Sequence, residues 1–367
     1  MRAQMKVLLI SPTVAGYIGG TETVVSQLSQ RLKDSVALTV LSAVPPGGEV
    51  LIDTRGYELL TLPFLGRDSR ANRLLSKLLM TSRFKIESFS FFRSLRRSDI
   101  DLTRFDVIAT FYEADALLLH KQYPSLRKRC RHLLPGVSMR GFFRRVPAED
   151  VVFFGYRAAP RAKRKWGVDV QSLPLGVDDQ FFPAAPRAFP QEKRLVFVGR
   201  LDKSKHVDWL AGFFAGSGLG QQGYRLDIIG DGPLFASLQA ACGPDSGIRL
   251  LGRQRADQVA AILRDAFLLL HPTDLESFGL TILEGMAAGL PVITHALDSV
   301  TIWAGKHPRY AAHLDAASWL QEIRRFEERD YWEQVSADNL AFARGLTWDR
   351  IAEQVLDILQ RKTPAGI

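Results

Sequence analysis

Two glutamates eight positions apart, Glu276 and Glu284, bracket the segment best suited to chemistry, LLLHPTDLESFGLTILEGMAAGLPV from Leu268 to Val292. The apolar run Phe267 to His271 reads as a strand that delivers the chain to a loop holding Glu276. Ser277, Phe278, Gly279 and Leu280 then turn it into a helix, around Thr281 to Ala288, that contains Glu284. Backbone N–H groups at a helix start point outward with partial positive charge, so this turn can hold a phosphate. Gly279 lets another group come close to the main chain. With one acid in the loop and the other on the helix, the pair can address different parts of one extended ligand. Taken alone, two such acids read equally well as solvated surface groups.

A second element is VGRLDKSK, Val198 to Lys205, where a strand ends at Gly199 and Arg200 and Lys205 follow. Both can converge on a diphosphate, Arg200 through its planar fork and Lys205 as a point charge; basic residues alone in such a loop are more often solvated. A third is Gly19–Gly20 after the first strand, which permits tight approach of backbone to ligand or simply makes a turn.

The elements that must position these groups alternate strand and helix. Lys6 to Pro12 reads as a buried parallel strand, Thr21 to Leu32 as a helix, and Val36 to Ser42 as a second strand, a βαβ opening. Phe105 to Thr110 and Val151 to Phe154 are further strands, whereas residues 67–98 are basic, with interleaved apolar residues and no strand pattern. The Pro-rich stretch Pro183 to Pro190 marks a boundary. Alternation then restarts with strands Leu195 to Gly199, Tyr224 to Ile229, Ile248 to Leu251, Phe267 to His271 and Pro291 to Thr294, and the chain ends in helices Tyr331 to Arg344 and Trp348 to Arg361. The expected architecture is two tandem doubly wound sheets with a ligand-binding cleft between them.

Composition bounds the alternatives. A chain of 367 residues suits two domains, and 46% apolar with 24% charged residues is a globular profile. Two cysteines, Cys130 and Cys242, imply no disulfide framework and a reducing compartment. The first residues lack the pattern of a secretory signal, and no 18-residue apolar run occurs, so a cytoplasmic location is expected. Isolated Cys and His residues offer no zinc spacing. Gly216-x-Gly218-x-Gly220 follows no strand and so fails as a dinucleotide loop. The net charge of +9 divides into about +11 on residues 1–180 and about −2 on the remainder, a basic face for an anionic partner.

Together these segments resemble the GT-B glycosyltransferases, specifically retaining family 4 (glycosyl transferases group 1). The likeness rests on VGRLDKSK, IIGDGPL (Ile228 to Leu234), LLGRQRADQVAAIL, PTDLESFGLTILEGMAAGLPVI and LTWDRIAEQVLDIL, and above all on the spacing within ESFGLTILE. It is looser in the first half, carried by GGTE and SLPLGVDDQFF. The resemblance implies a GT-B architecture: two Rossmann-like domains, 1–185 binding acceptor and 186–345 binding nucleotide-sugar donor, with a helix at 346–367 packing back on the first. It implies that Arg200 and Lys205 bind the donor diphosphate, that Glu284 holds the ribose hydroxyls, and that Glu276 lies near the reacting sugar carbon. The amides of Ser277, Phe278, Gly279 and Leu280 would hold phosphate or sugar, with Gly19 and Gly20 beside the diphosphate. Glu276, Arg200 and Lys205 are then the catalytic set, the donor is a UDP- or GDP-linked hexose, the acceptor is lipid-linked, a polysaccharide or a small molecule, and no metal or other cofactor is obligatory.

Two features depart from the family's pattern. Its His-rich turn after a first-domain strand is replaced by Phe111–Tyr112–Glu113, leaving His120 and His132 as candidate bases or packed histidines. His206 stands where glycine is common. Residues 67–97 suit a helix with apolar and cationic stripes, which fits an anionic membrane surface on the inner face beside a lipid-linked acceptor, or simply a core-facing amphipathic helix. The cluster Arg127 to Arg131 with Arg140, Arg144 and Arg145 is an alternative anionic-acceptor site, and no nucleic-acid partner is expected. Competing functions are a GT-B epimerase, a glycoside phosphorylase, or a non-catalytic nucleotide-sugar-binding protein.

Overall fold

A computed structural model describes residues 4–17, 19–243 and 245–361. The chain divides into two units, Met1–Pro174 with Trp348–Ile367, and Leu175–Thr347. The division falls at Pro174/Leu175, ahead of the Pro-rich stretch where composition places it.

The first unit is a seven-stranded sheet, β1 (Lys6–Ile10), β2 (Ala37–Ser42), β3 (Glu58–Thr61), β4 (Val107–Thr110), β5 (Cys130–Leu134), β6 (Val151–Phe154) and β7 (Gln171–Leu173), ordered β3-β2-β1-β4-β5-β6-β7. All its pairings are parallel. Val7 through Ile10 have no exposure, as expected of a central strand covered on both faces. The helix Trp348–Gln360 packs on the helix Gly20–Leu32, and Arg31 Nε donates to Asp349 Oδ1 at 2.6 Å.

β5 carries no apolar strand pattern in sequence, because its CRHLL begins in a basic cluster. Arg131 does not face solvent: its side chain is buried, pairs with Asp150, and donates to the Arg361 carbonyl. The basic stretch at 67–98 forms two helices, Arg70–Leu78 and Arg83–Leu95. The second buries Phe91, Phe92 and Leu95 against the sheet, so part of this region is core. Leu74, Leu78, Leu79, Met80, Phe84 and Phe89 remain exposed, Met80 at 94%.

The second unit is a six-stranded parallel sheet, β8 (Arg194–Val198), β9 (Arg225–Ile229), β10 (Ile248–Gly252), β11 (Leu268–His271), β12 (Val292–Thr294) and β13 (Arg309–Tyr310), ordered β10-β9-β8-β11-β12-β13. The order reverses between β8 and β11, so the loops leaving these strands diverge to opposite sides, the place where such sheets bind ligands. Those loops carry Arg200 and Lys205 on one side and Glu276 on the other.

Candidate functional site

The loop leaving β8 is held by the loop leaving β9. Gly230 has φ +142, and a Cβ there would lie 1.8 Å from the Gly199 carbonyl oxygen, so only glycine fits. This contact seats Leu201, whose N–H donates to the Asp231 carbonyl at 3.0 Å. Asp202 then caps a short turn at Lys203–Lys205, accepting from Ser204 N–H at 3.0 Å. His206 completes the turn at φ +48, a left-handed conformation where glycine would be unstrained.

Lys205 reaches across to the loop leaving β11. Its Nζ donates to Glu276 Oε1, to the Leu275 carbonyl at 3.1 Å and to Thr273 Oγ1 at 3.3 Å. The buried His271, last residue of β11, meets the same Glu276 oxygen through Nε2 at 2.8 Å. Burial pushes the Glu276 carboxyl up, but the His271 hydrogen bond and the Lys205 charge outweigh it and hold the group below its ordinary value. Glu276 is therefore ionised. Arg200 stays on its own loop, exposed and paired with Asp202 through Nε at 3.3 Å.

Beyond Glu276 the chain turns into the helix Leu280–Ala287. Gly279 sits at φ +93, which reverses the chain without a Cβ penalty. The buried Phe278 ring stacks on Trp303 at 4.5 Å, and Trp303 Nε1 donates to the Phe278 carbonyl at 2.8 Å. The Phe278 side chain is thus an anchor in the core, and only its backbone is available to a ligand. Among the described residues, the N–H groups of 277–281 meet no acceptor. A row of free amides at a helix start, beside Lys205, has the chemistry to hold an anion.

Glu284, one turn further on, differs from Glu276. Burial, with repulsion from Asp178, pushes its carboxyl up to about 7. Among the described residues the Glu284 carboxyl makes no hydrogen bond or ion pair, although the Glu284 carbonyl accepts from Ala288 N–H at 3.0 Å. A half-buried acid without partners suits hydroxyl groups of a bound molecule.

In the first unit, Gly19 is extended and Gly20 opens the helix Gly20–Leu32. A Cβ on Gly19 would lie 2.5 Å from Glu22 Oε2, so this glycine makes room for Glu22. Glu22 Oε1 accepts from Thr13 Oγ1 at 2.6 Å, Tyr112 at 3.0 Å and Arg67 at 3.3 Å. Arg67 also pairs with Glu87 and lies over the Tyr17 and Phe84 rings. Sequence reasoning named the glycines and missed this network; its one signal was the acid in GGTE, in the first turn of a helix. His120 and His132 meet each other through Nε2 at 3.0 Å, and their Nδ1 atoms lie near the Arg145 carbonyl and Thr110 Oγ1. Both are buried, and burial lowers the pKa of each. All four ring nitrogens are thereby occupied within the unit.

Beside this pair lies a groove of about 570 Å³ in the same unit. Lys85, Lys121, Arg127, Arg144 and Arg145 contribute cations, Phe89, Leu117, Leu118 and Met139 an apolar wall, and no acid lines it.

Two parallel α/β units, each a Rossmann-like sheet with helices, define the GT-B fold class. Residues 192–328, within this second unit, match the model of the family described as glycosyl transferases group 1. A D-inositol 3-phosphate glycosyltransferase of Nocardioides sp. is 25% identical over 70% of this chain and 54% of its own length. A GDP-mannose-dependent alpha-mannosyltransferase of Mycobacterium tuberculosis is 37% identical over 36% of this chain and 33% of its own. The chain thus spans about half, or less, of the length of these curated relatives. Among solved structures, Anabaena HepE, in complex with UDP and glucose, is similar in fold with a TM-score of 0.67 at 15% identity, covering 97% of this chain and 99% of that one. Among the described residues, no helix is long and apolar enough to cross a membrane.

Proposed function

We propose that the protein is a retaining glycosyltransferase that moves a hexose-type sugar from a UDP- or GDP-linked donor to an anionic, lipid-linked acceptor. The observation that carries the donor half is the joining of Lys205 to an ionised Glu276 beside the unoccupied amides of 277–281. Cleavage of the bond between sugar and diphosphate builds positive charge on the sugar carbon and negative charge on the leaving oxygen. Lys205, Arg200 and the helix-start amides would stabilise the diphosphate, and Glu276 the sugar. The bond to the acceptor oxygen forms as the bond to phosphate breaks, and the acceptor's proton passes to the departing phosphate oxygen. Glu284 would take the ribose hydroxyls. No side chain need act as nucleophile, and no metal is required.

The acceptor half rests on the first unit. Its basic groove has an apolar wall that includes the exposed Phe89, and residues 70–83 of the same unit carry the exposed Leu78, Leu79 and Met80 and the exposed cations Arg70, Arg73, Lys77 and Arg83. Such a surface fits a phosphate-bearing amphiphile at an anionic membrane.

The test is an assay of UDP- and GDP-linked hexoses with phospholipid and sugar acceptors, the product's anomeric configuration being read by NMR. Transfer with retention, abolished in Glu276→Ala, is expected. Turnover driven by inorganic phosphate without nucleotide would instead identify a phosphorylase.

A further inference from the structure

Three residues outside the donor assignment come together on the second unit. His206 follows Lys205, Asp274 lies two positions before Glu276, and His313 follows β13. Asp274 bridges the two imidazoles: Oδ2 meets His206 Nε2, and Oδ1 meets His313 Nε2 at 2.6 Å. We propose that His206, Asp274 and His313 form a binding site for one divalent transition-metal ion of the Zn2+ class, which clamps the Lys205 loop to the Glu276 loop.

The donor set decides the chemistry. Two neutral imidazoles with one carboxylate suit zinc and its neighbours, whereas magnesium and calcium favour all-oxygen shells. Three protein ligands leave a fourth position for water. The ligand atoms lie within 4.8 Å of one another. A tetrahedral ion with bonds of about 2.0–2.2 Å needs them roughly 3.4 Å apart, so small side-chain rotations close the site.

The backbone is committed to this arrangement. His206 at φ +48 and Leu314 at φ +47 are two of the three non-glycine residues with positive φ among those described. One is a ligand and the other adjoins a ligand. Such conformations are strained and persist where surroundings over-determine them. Asp274 is fixed by its own N–H, which donates to the Ser204 carbonyl at 3.0 Å. His313 is backed by His295, ring centroids 4.6 Å apart, and His295 Nδ1 lies 3.3 Å from the Thr273 carbonyl. The His313 and Asp274 side chains are 60% and 44% exposed, so an ion can enter from solvent. The wide sequence separation of the three ligands hides the site from any spacing rule.

The test is metal binding by the full chain, stripped with chelator and titrated with Zn2+ against a chromophoric competitor. One equivalent is expected, with a thermal midpoint raised by a few degrees and no comparable effect of Mg2+. His206→Ala, Asp274→Asn and His313→Ala should each weaken Zn2+ binding at least about tenfold. His313→Ala changes an exposed side chain, and an unaltered circular dichroism spectrum shows that it folds. Failure to take up Zn2+ at about 10 µM free ion, or equal uptake by wild type and a folded His313→Ala, would overturn the site. Neither result touches the transferase reading, which requires no metal.

Discussion

Glu276 and Glu284 sit eight positions apart on one strand–turn–helix unit, and their carboxyls are pushed in opposite directions. His271 and Lys205 overcome burial to keep Glu276 ionised, whereas burial, unanswered by any partner, raises Glu284 to about 7. Two acids driven apart in this way can serve two roles at one pH.

The Glu284 value makes donor binding pH-dependent. Accepting from two ribose hydroxyls requires the carboxylate. A nucleotide-sugar, whose diphosphate does not itself titrate near neutrality, should therefore bind more tightly as pH rises from 6 to 8. Calorimetric titration across that range checks this. Glu284→Gln should bind more weakly and lose the pH dependence; a wild-type affinity flat from pH 6 to 8 contradicts the role.

Lys205 is placed to act on both diphosphate and Glu276. Its replacement by alanine should lower kcat/KM about 10²–10³-fold, as loss of a preorganised charge does. Nucleoside diphosphate affinity should fall with it. An unchanged Kd for the nucleotide would limit Lys205 to positioning Glu276.

Asp115 is fully buried in the first turn of the helix Glu113–Gln122, where burial, partly offset by Ser88, pushes its carboxyl up to about 7. A raised folded-state value means that the folded protein binds the proton more tightly than the unfolded chain. Stability is fully present below the unfolded value, falls as pH rises, and levels off above about 7. The loss is on the order of 4 kcal/mol. Asp115→Asn should raise the thermal midpoint by several degrees at pH 8 and by much less at pH 5. An equal gain at both pH values would contradict this account.

The exposed apolar and basic residues of 70–89 predict peripheral membrane binding. The protein should sediment with vesicles containing phosphatidylglycerol at low salt and be released by high salt. Leu78→Ser with Met80→Ser should reduce binding at fixed salt, since each removes apolar area from the contact. No pelleting at low salt rejects the membrane surface.

Much of the fold is legible in sequence because buried parallel strands are short apolar runs. β1, β2, β4, β6 and the second unit's β8 to β12 announce themselves in this way. β5 does not, because Arg131 and His132 interrupt it; its polarity is answered by Asp150, Thr110 and His120, partners no local window contains. β3 and β7 are edge strands with partly exposed patterns, so their periodicity is weak. At the site, Glu276, Lys205 and the Gly279 turn can be read from residue type and spacing. The parts that could not be read depend on tertiary contact: His271 under Glu276, Trp303 under Phe278, and Glu22 with Arg67. Each joins residues from separate elements, and neither propensity nor spacing encodes such a meeting.

Donor binding requires a nucleoside diphosphate held by Lys205 and the amides beyond Glu276. Calorimetric titration of the full chain with UDP and with GDP tests this directly. Saturable one-to-one binding of at least one of them is expected, weakened at least about tenfold in Lys205→Ala. Absence of binding by both at millimolar concentration, in a protein shown to be folded, would contradict it.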